Sequence, residues 1–314
     1  MQQNKKKSRL IPLAAGAALL GGLAVANTLR ARKAKRDNPP LGTFVHLDGV
    51  RLHYVERGSG PTLLLIHGNG VMLQDWIISG LLDELAKTHR VIAVDRPGFG
   101  YSSRPGGTRW TPERQAELFA QLLDRLDATP ALVVGHSYGT QVAAALALNH
   151  PEAVKGVALI GGYYYPTPRA DVLLVAGSAV PGWGDLVNHT LMPLAGEALQ
   201  KPINRKIFGP AETPRRWRED FSWGLALRPS RMRAGAADAV HMIPAAARLA
   251  PRYPELTMPV AIVAGRGDRM VDTATHSERL HRDLPGSRLT VIEGVGHMAH
   301  HNAMREVASA IRLV

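Results

Sequence analysis

The chain contains no cysteine. Disulfide frameworks, thiolate nucleophiles and cysteine-ligated metal sites are therefore excluded, although that absence does not identify a compartment. Acidic residues are missing altogether from residues 1–36, which carry Lys5, Lys6, Lys7, Arg9, Arg30, Arg32, Lys33, Lys35 and Arg36. These nine cations hold most of the formal charge of +12, because the remaining 29 bases and 26 acids leave the rest of the chain at only +3. The excess is an N-terminal feature, which argues against a nucleic-acid groove in the body, and nucleic acid is not an expected partner. No internal repeat is visible, and no stretch after the first forty residues has the polar composition of disorder.

What lies between the two basic clusters is IPLAAGAALLGGLAVANTL, residues 11–29, without a charge. Its length suits a membrane span or the core of a signal sequence. Ala24-Val25-Ala26 matches a small-residue cleavage site, whereas the cluster Arg30 to Arg36 directly after it hinders translocation. Residues 1–40 are therefore expected to be a basic N-terminal segment that associates with a membrane through an uncleaved anchor helix at 11–29. Secretion or periplasmic release after cleavage is the alternative. Basic residues on both sides leave the orientation open.

From residue 41 the chain alternates short apolar runs with longer helical ones. Phe44–Leu47 and Leu52–Glu56 form a predicted hairpin turning at Asp48-Gly49. Leu63–Ile66, Val91–Asp95, Leu132–Val134, Val157–Ile160, Ala261–Ala264 and Leu289–Ile292 are continuous apolar runs, as strands buried on both faces of a parallel sheet require. Leu81–Lys87, Pro112–Leu126, Gln141–Asn149, Thr273–Leu284 and Met304–Leu313 have helical periodicity, with Thr111-Pro112 as a helix start. This alternation predicts an α/β fold, a mostly parallel eight-stranded sheet flanked by helices. From about Tyr163 to Pro259 no strand is evident, and a stretch that long reads as a helical cap inserted after the sixth strand. The expected domains are a core of residues 41–162 and 257–314 and a cap of residues 163–256.

Ligands of open α/β sheets bind beyond the carboxyl ends of the strands. In VVGHSYGTQVAAALAL, residues 133–148, Ser137 stands between Gly135 and Gly139 on a predicted strand-to-helix turn. A bland turn is the alternative to a nucleophile, but the other strand ends bring Asp268 in Gly265-Arg266-Gly267-Asp268 and His297 in Gly294-Val295-Gly296-His297. A serine, an aspartate and a histidine after three different strands, in that chain order, fit nucleophilic acyl transfer. The histidine would act as general base and the carboxylate would hold its tautomer. Asp272, Asp95 and Asp124 are rivals of Asp268; Asp272 fits a helix cap and Asp95 a turn former. His297, His300 and His301 have helical ligand spacing, but no acid stands near them in sequence, so a metal site is not expected; His300 and His301 are expected at the mouth or on the following helix. The backbone N–H groups of Tyr138 and of Asn69, in His67-Gly68-Asn69-Gly70 after the third strand, are the expected oxyanion donors.

Residues 41–162 and 256–314 resemble the α/β-hydrolase fold family, in its cap-bearing, epoxide-hydrolase-like and esterase-like branch. The resemblance rests on His67-Gly68-Asn69-Gly70, Asp95-Arg96-Pro97-Gly98-Phe99-Gly100-Tyr101-Ser102, Gly135-His136-Ser137-Tyr138-Gly139, Gly265-Arg266-Gly267-Asp268 and Gly296-His297. Epoxide hydrolases and haloalkane dehalogenases of this family place aspartate at the elbow, where this chain has Ser137, so an alkyl-enzyme ester is not expected. An excess of arginine in the cap argues against the cationic substrates of iminopeptidase-like members. Trp183, Trp217 and Trp223, with Phe208, Phe221 and Met192, line an apolar acyl pocket or form the cap's own core. The resemblance implies a serine hydrolase of apolar or lipidic carboxylic esters with a small-molecule acyl substrate, no cofactor and no metal. Carbon–carbon bond hydrolysis and cofactor-free haloperoxidase or perhydrolase chemistry occur on the same fold. A non-catalytic hydrolase-like binding protein is the alternative from another class.

Overall fold

The computed structural model describes residues 2–314, with side chains described for residues 14–172 and 175–314. The side chains of Lys5, Lys6, Lys7 and Arg9, and those of the first three residues of the 11–29 stretch, lie outside the described residues. Eight strands form one sheet in the order β1-β2-β4-β3-β5-β6-β7-β8. They are β1 (Thr43–Leu47), β2 (Val50–Arg57), β3 (Thr62–Ile66), β4 (Arg90–Val94), β5 (Ala131–His136), β6 (Val154–Ile160), β7 (Val260–Gly265) and β8 (Arg288–Ile292). β2 runs antiparallel to β1 and β4, and all other neighbours are parallel. The β1–β2 turn has positive φ at both Asp48 and Gly49, which matches the right-handed strand twist that Asp-Gly turns accommodate.

The helices before the insertion are α1 (Gln2–Asp37), α2 (Gln74–Ile78), α3 (Leu81–Leu85), α4 (Pro112–Arg125) and α5 (Tyr138–Asn149). α4 starts where Thr111 accepts from the Arg114 N–H and proline occupies the first turn, so both sequence signals act there. Between β6 and β7 the chain forms α6 (Ala170–Ala176), α7 (Trp183–His189), α8 (Leu191–Ala198), α9 (Gln200–Phe208), α10 (Arg215–Asp220), α11 (Trp223–Ala226) and α12 (Pro229–Leu249). No strand interrupts this insertion among the described residues. α13 (Arg279–Asp283), preceded by a π turn over Ala274–Glu278, then α14 (Ala299–Asn302) and α15 (Met304–Ile311) complete the fold.

Two apolar layers hold the sheet. Val133 and Leu159 face one layer with Phe119, Leu123 and Val142, while Val134 and Ile160 face the other with Trp76, Leu82 and Val307. Strands buried on both faces explain the unbroken apolar runs, each such side chain contributing about 1.5–3 kcal/mol by leaving water. A third cluster joins the helical insertion to the rest of the fold, with Phe208, Trp217 and Phe221 against Val71, Met72, Ile78 and Met298. Ala34 of α1 belongs to it, and Asn27 donates to the carbonyls of His189 (2.9 Å) and Thr190 (2.8 Å), so the second half of α1 packs on the helical insertion.

Candidate active site

The parallel register brings the candidate residues to one edge. Ile66 of β3 lies opposite Gly135 of β5, so the loop His67–Gly70 runs beside the β5–α5 turn. Ser137, on that turn, has φ of +52° and ψ of −121°. A non-glycine residue held there is strained, and such strain persists only where its surroundings over-determine it. The surroundings are visible in the glycines: a Cβ on Gly135 would lie 2.5 Å from the Gly139 oxygen, and one on Gly139 would lie 2.3 Å from the Ile66 oxygen. A Cβ on Gly68 would sit 3.0 Å from Ser137 Cβ, which measures how closely the β3 loop approaches the serine. Tyr138 opens α5, where the first N–H groups have no intrahelical acceptor.

His297 and Asp268 meet across the ends of β8 and β7, with Nδ1 2.7 Å from Asp268 Oδ2. That bond leaves Nε2 as the nitrogen available to a hydroxyl. Asp268 Oδ1 accepts from the N–H groups of Met270 (2.7 Å) and Val271 (3.0 Å), so both carboxylate oxygens are held. Among the described residues no hydrogen bond joins Ser137 to His297, and such contacts commonly tighten only with substrate present. The rivals of Asp268 are engaged elsewhere. Asp95 is fully buried and bound to His53 Nδ1 (2.6 Å) and the N–H groups of Leu73 and Tyr101; Asp272 accepts from the Thr275 N–H; Asp124 is exposed on α4. The turn-former reading of Asp95 is thus too small: it ties β2, β4 and the start of α2 together.

His300 and His301 do not line the mouth. They sit on α14 with their Nε2 atoms 3.0 and 2.7 Å from the two oxygens of Asp75, a fully buried carboxylate of α2. The acid that sequence proximity did not offer comes from 225 residues away. Burial alone would raise the Asp75 carboxyl, but the two imidazoles outweigh it and hold it well below the ordinary range. The three ligand atoms lie within 4.8 Å of one another and are a set that could hold a metal ion; their mutual distances are those of hydrogen bonds. His300 also packs on His136 (ring centroids 4.4 Å apart), and His136 Nε2 donates to the His297 carbonyl at 3.1 Å. The cluster therefore lies directly under the serine turn and the His297 loop.

The element that the sequence reading passed over is Arg96. Fully buried, it donates from Nε to the His67 oxygen (2.9 Å), from Nη2 to the Gly68 oxygen (3.2 Å) and from Nη1 to Gln115 (3.0 Å), and it pairs with Asp238 of α12. His67 itself accepts the Arg96 N–H at Nε2 (3.0 Å) and donates from Nδ1 to the Gly68 oxygen (2.7 Å). Burial and the adjacent Arg96 cation drive His67 down to about 3, so it stays neutral. The loop carrying Asn69 is thus fixed to α12. Asn69 Nδ2 adds a bond to the Gly235 oxygen at 2.9 Å. The only sequence signal for this network was a lone acid, Asp238, in an arginine- and alanine-rich helix.

α12 also places Arg231 beside the same loop. It is 7% exposed, packs on Phe99 (5.3 Å to the ring centre), and its Nη2 faces Gly70; its Nε and Nη2 have no hydrogen-bond partner among the described residues. Burial, with Arg228 and Arg96 nearby, pulls this guanidinium below its ordinary value. The tryptophans are dispersed: Trp217 stacks on Phe221 (4.0 Å, 10°) and Trp223 meets the same ring edge-on, both in the cap–core cluster, whereas Trp183 on α7 is 62% exposed.

Residues 61–195 match the family model described as the alpha/beta hydrolase fold. A 2-hydroxymuconate semialdehyde hydrolase of Pseudomonas sp. (strain CF600) is 37% identical over 129 residues, 41% of this chain and 46% of that protein, so the match spans less than half of the relative. Another, of Pseudomonas putida, is 30% identical over 196 residues, 58% of this chain and 70% of that protein. Among solved structures, a membrane phospholipase A described as a bacterial virulence factor superposes with a TM-score of 0.67 at 25% identity, covering 99% of this chain and 97% of its own.

Proposed function

The chain belongs to the α/β-hydrolase fold family, and from that premise we propose that it is a serine hydrolase that cleaves carboxylic esters of apolar or lipidic substrates through an acyl-enzyme. Ser137 Oγ attacks the acyl carbonyl while His297 Nε2 takes its proton, and Asp268 holds the imidazole and stabilises its charged form. The N–H groups of Asn69 and Tyr138 stabilise the oxyanion, His297 returns the proton to the leaving group, and water repeats the cycle. The observation that carries this reading is the positive-φ serine turn on the strand edge that also holds the 2.7 Å His297–Asp268 pair. In this reading residues 41–162 and 257–314 form the catalytic core and 163–256 the cap that shapes the acyl pocket.

α1 holds the enzyme at a membrane. Its stretch Ala14–Asp37 is long and apolar enough to cross one by length and composition, a test that a signal sequence also passes. Two facts support an uncleaved anchor: Ala24-Val25-Ala26 lies inside an unbroken helix, and the match to the membrane phospholipase A extends over α1.

A second reading, carbon–carbon bond hydrolysis of an unsaturated keto acid, is favoured by Arg231. A buried guanidinium with two unpartnered donors beside the Asn69 loop suits a substrate carboxylate. The test is turnover of p-nitrophenyl esters from acetate to palmitate, beside a dienone acid, by the wild type and Ser137→Ala. Ester turnover that vanishes in the variant is expected, with the chain-length profile reporting the acyl pocket. Turnover of the dienone acid alone would replace the first reading by the second.

A further inference from the structure

A cleft of about 990 Å³ lies away from Ser137. It opens between the loop Gly98–Trp110, the start of α12, α7 and the end of α1, and neither Ser137, Asp268 nor His297 lines it. Its wall carries Lys35, Arg51, Arg104, Arg109, Arg228 and Arg233 against a single carboxylate, Asp185. Asp185 is spent on Arg233 (2.6 Å), and Arg104 is paired with Asp238 (2.9 Å). Among the described ion pairs Lys35, Arg51, Arg109 and Arg228 have no carboxylate. These four cations come from α1, β2, the loop before α4 and the residue that caps α12, and the fold converges them on one space.

Arg228 is the built part of this wall. It is 5% exposed, its Nε donates to the Leu225 oxygen at 3.0 Å and its Nη2 to the Gly100 oxygen, and it lies 5.6 Å from the centre of the Tyr101 ring. Tyr101 in turn donates to the carbonyls of Lys35 and Asn38, which ties the end of α1 to the cleft. Arg228 has Lys35 nearby and no ion-pair partner among the described residues, the buried Asp95 acting on it only from a distance, and a cation fixed in place by carbonyls in this way is one that an anion completes.

We propose that this cleft binds the phosphate of an anionic phospholipid head group. The position of Lys35 selects the ligand's source. The cleft begins at His189, whose carbonyl accepts from Asn27 near the end of the uncharged stretch, and Lys35 lies eight residues farther on, about 12 Å along a helix axis. Head groups occupy about 5–8 Å on each side of the hydrocarbon core, so an anchored α1 brings the mouth of the cleft to the lipid phosphates. This choice of source rests on the anchor reading of α1 and is independent of the ester chemistry. One turn of α12 separates the two anion-facing arginines, Arg228 on the cleft and Arg231 on the Asn69 loop.

The test uses full-length Ser137→Ala protein in neutral detergent, so that no ligand is hydrolysed. Binding of water-soluble dibutanoyl phosphatidylglycerol, dibutanoyl phosphatidylcholine and inorganic phosphate is measured by calorimetric titration. Phosphatidylglycerol is expected to bind saturably and more tightly than either of the others. Adding Arg51→Glu with Arg109→Glu, both exposed and outside the core, is expected to weaken it about tenfold or more. Adding Arg282→Glu with Arg305→Glu, the same charge change away from the cleft, is expected to leave it within about twofold. Equal weakening by both pairs, or no saturable binding, overturns the site. Inorganic phosphate binding as tightly as the lipid overturns the head-group assignment. Failure of ester turnover leaves this result untouched.

Discussion

Arg231 shows how a single side chain discriminates between chemistries. A buried cation without a partner lowers stability unless something pairs with it, and replacing it by an apolar side chain of similar size is neutral or stabilising. Arg231→Met is therefore expected to hold or raise the thermal midpoint. If the guanidinium receives a substrate carboxylate, the variant loses about 10–100-fold in kcat/KM on p-nitrophenyl hemisuccinate, the loss of one charge-assisted hydrogen bond, while p-nitrophenyl butyrate changes by about twofold at most. Steady-state kinetics on the two esters checks this, and a parallel fall on both would mean that Arg231 only braces the loop. Ser137, His297 and Asp268 were legible as candidates because each stands at a strand end in a short motif. Arg96, Asp75 and Arg231 were not. Their meaning comes from partners 19 to 226 positions away, or from having none, and no local pattern encodes either condition.

At the scale of elements the sequence was most informative where burial is two-sided. Six strands stand where the apolar runs predict and two where the hairpin signal does, and the Asp48-Gly49 turn has the backbone its residues favour. The predicted helix Thr273–Leu284 is real but divided, a π turn through Glu278 followed by α13. α2 and α14 escaped notice because five and four residues are too few for a helical period to register. Both carry members of the buried Asp75 cluster, so short elements hold part of the floor beneath the candidate site. The helical insertion between β6 and β7 was legible only as an absence of strands. Its helices pack through Phe208, Trp217 and Phe221 onto the core, and no periodic signal in the sequence separated that seam from a substrate pocket.

For the whole molecule, buried neutral histidines make stability depend on pH. Burial sets His67 at about 3 and His276 at about 4, whereas each titrates near 6.5 in an unfolded chain. The unfolded state therefore binds protons first as pH falls. The contribution is fully present above about pH 6.5 and is lost progressively toward the folded values, at up to about 1.4 kcal/mol per pH unit for each group. Urea midpoints of the detergent-solubilised protein are expected to drop steadily between about pH 7 and about pH 5, and a midpoint that stays level across that range would contradict this. The charge of +12 has a comparable whole-molecule meaning. As a sequence it looked confined to the N-terminus, yet Lys35 joins arginines of the body around one cleft, which only the folded arrangement reveals.

The central claim is that Ser137 is the nucleophile, and covalent trapping tests it most directly. The full-length protein is treated with a fluorophosphonate, digested and mapped by mass spectrometry. A single adduct on the peptide that contains Ser137, absent from Ser137→Ala and slowed strongly in His297→Ala, is the predicted result. An adduct on a different residue, or ester turnover that persists in Ser137→Ala with no adduct formed, would contradict the account.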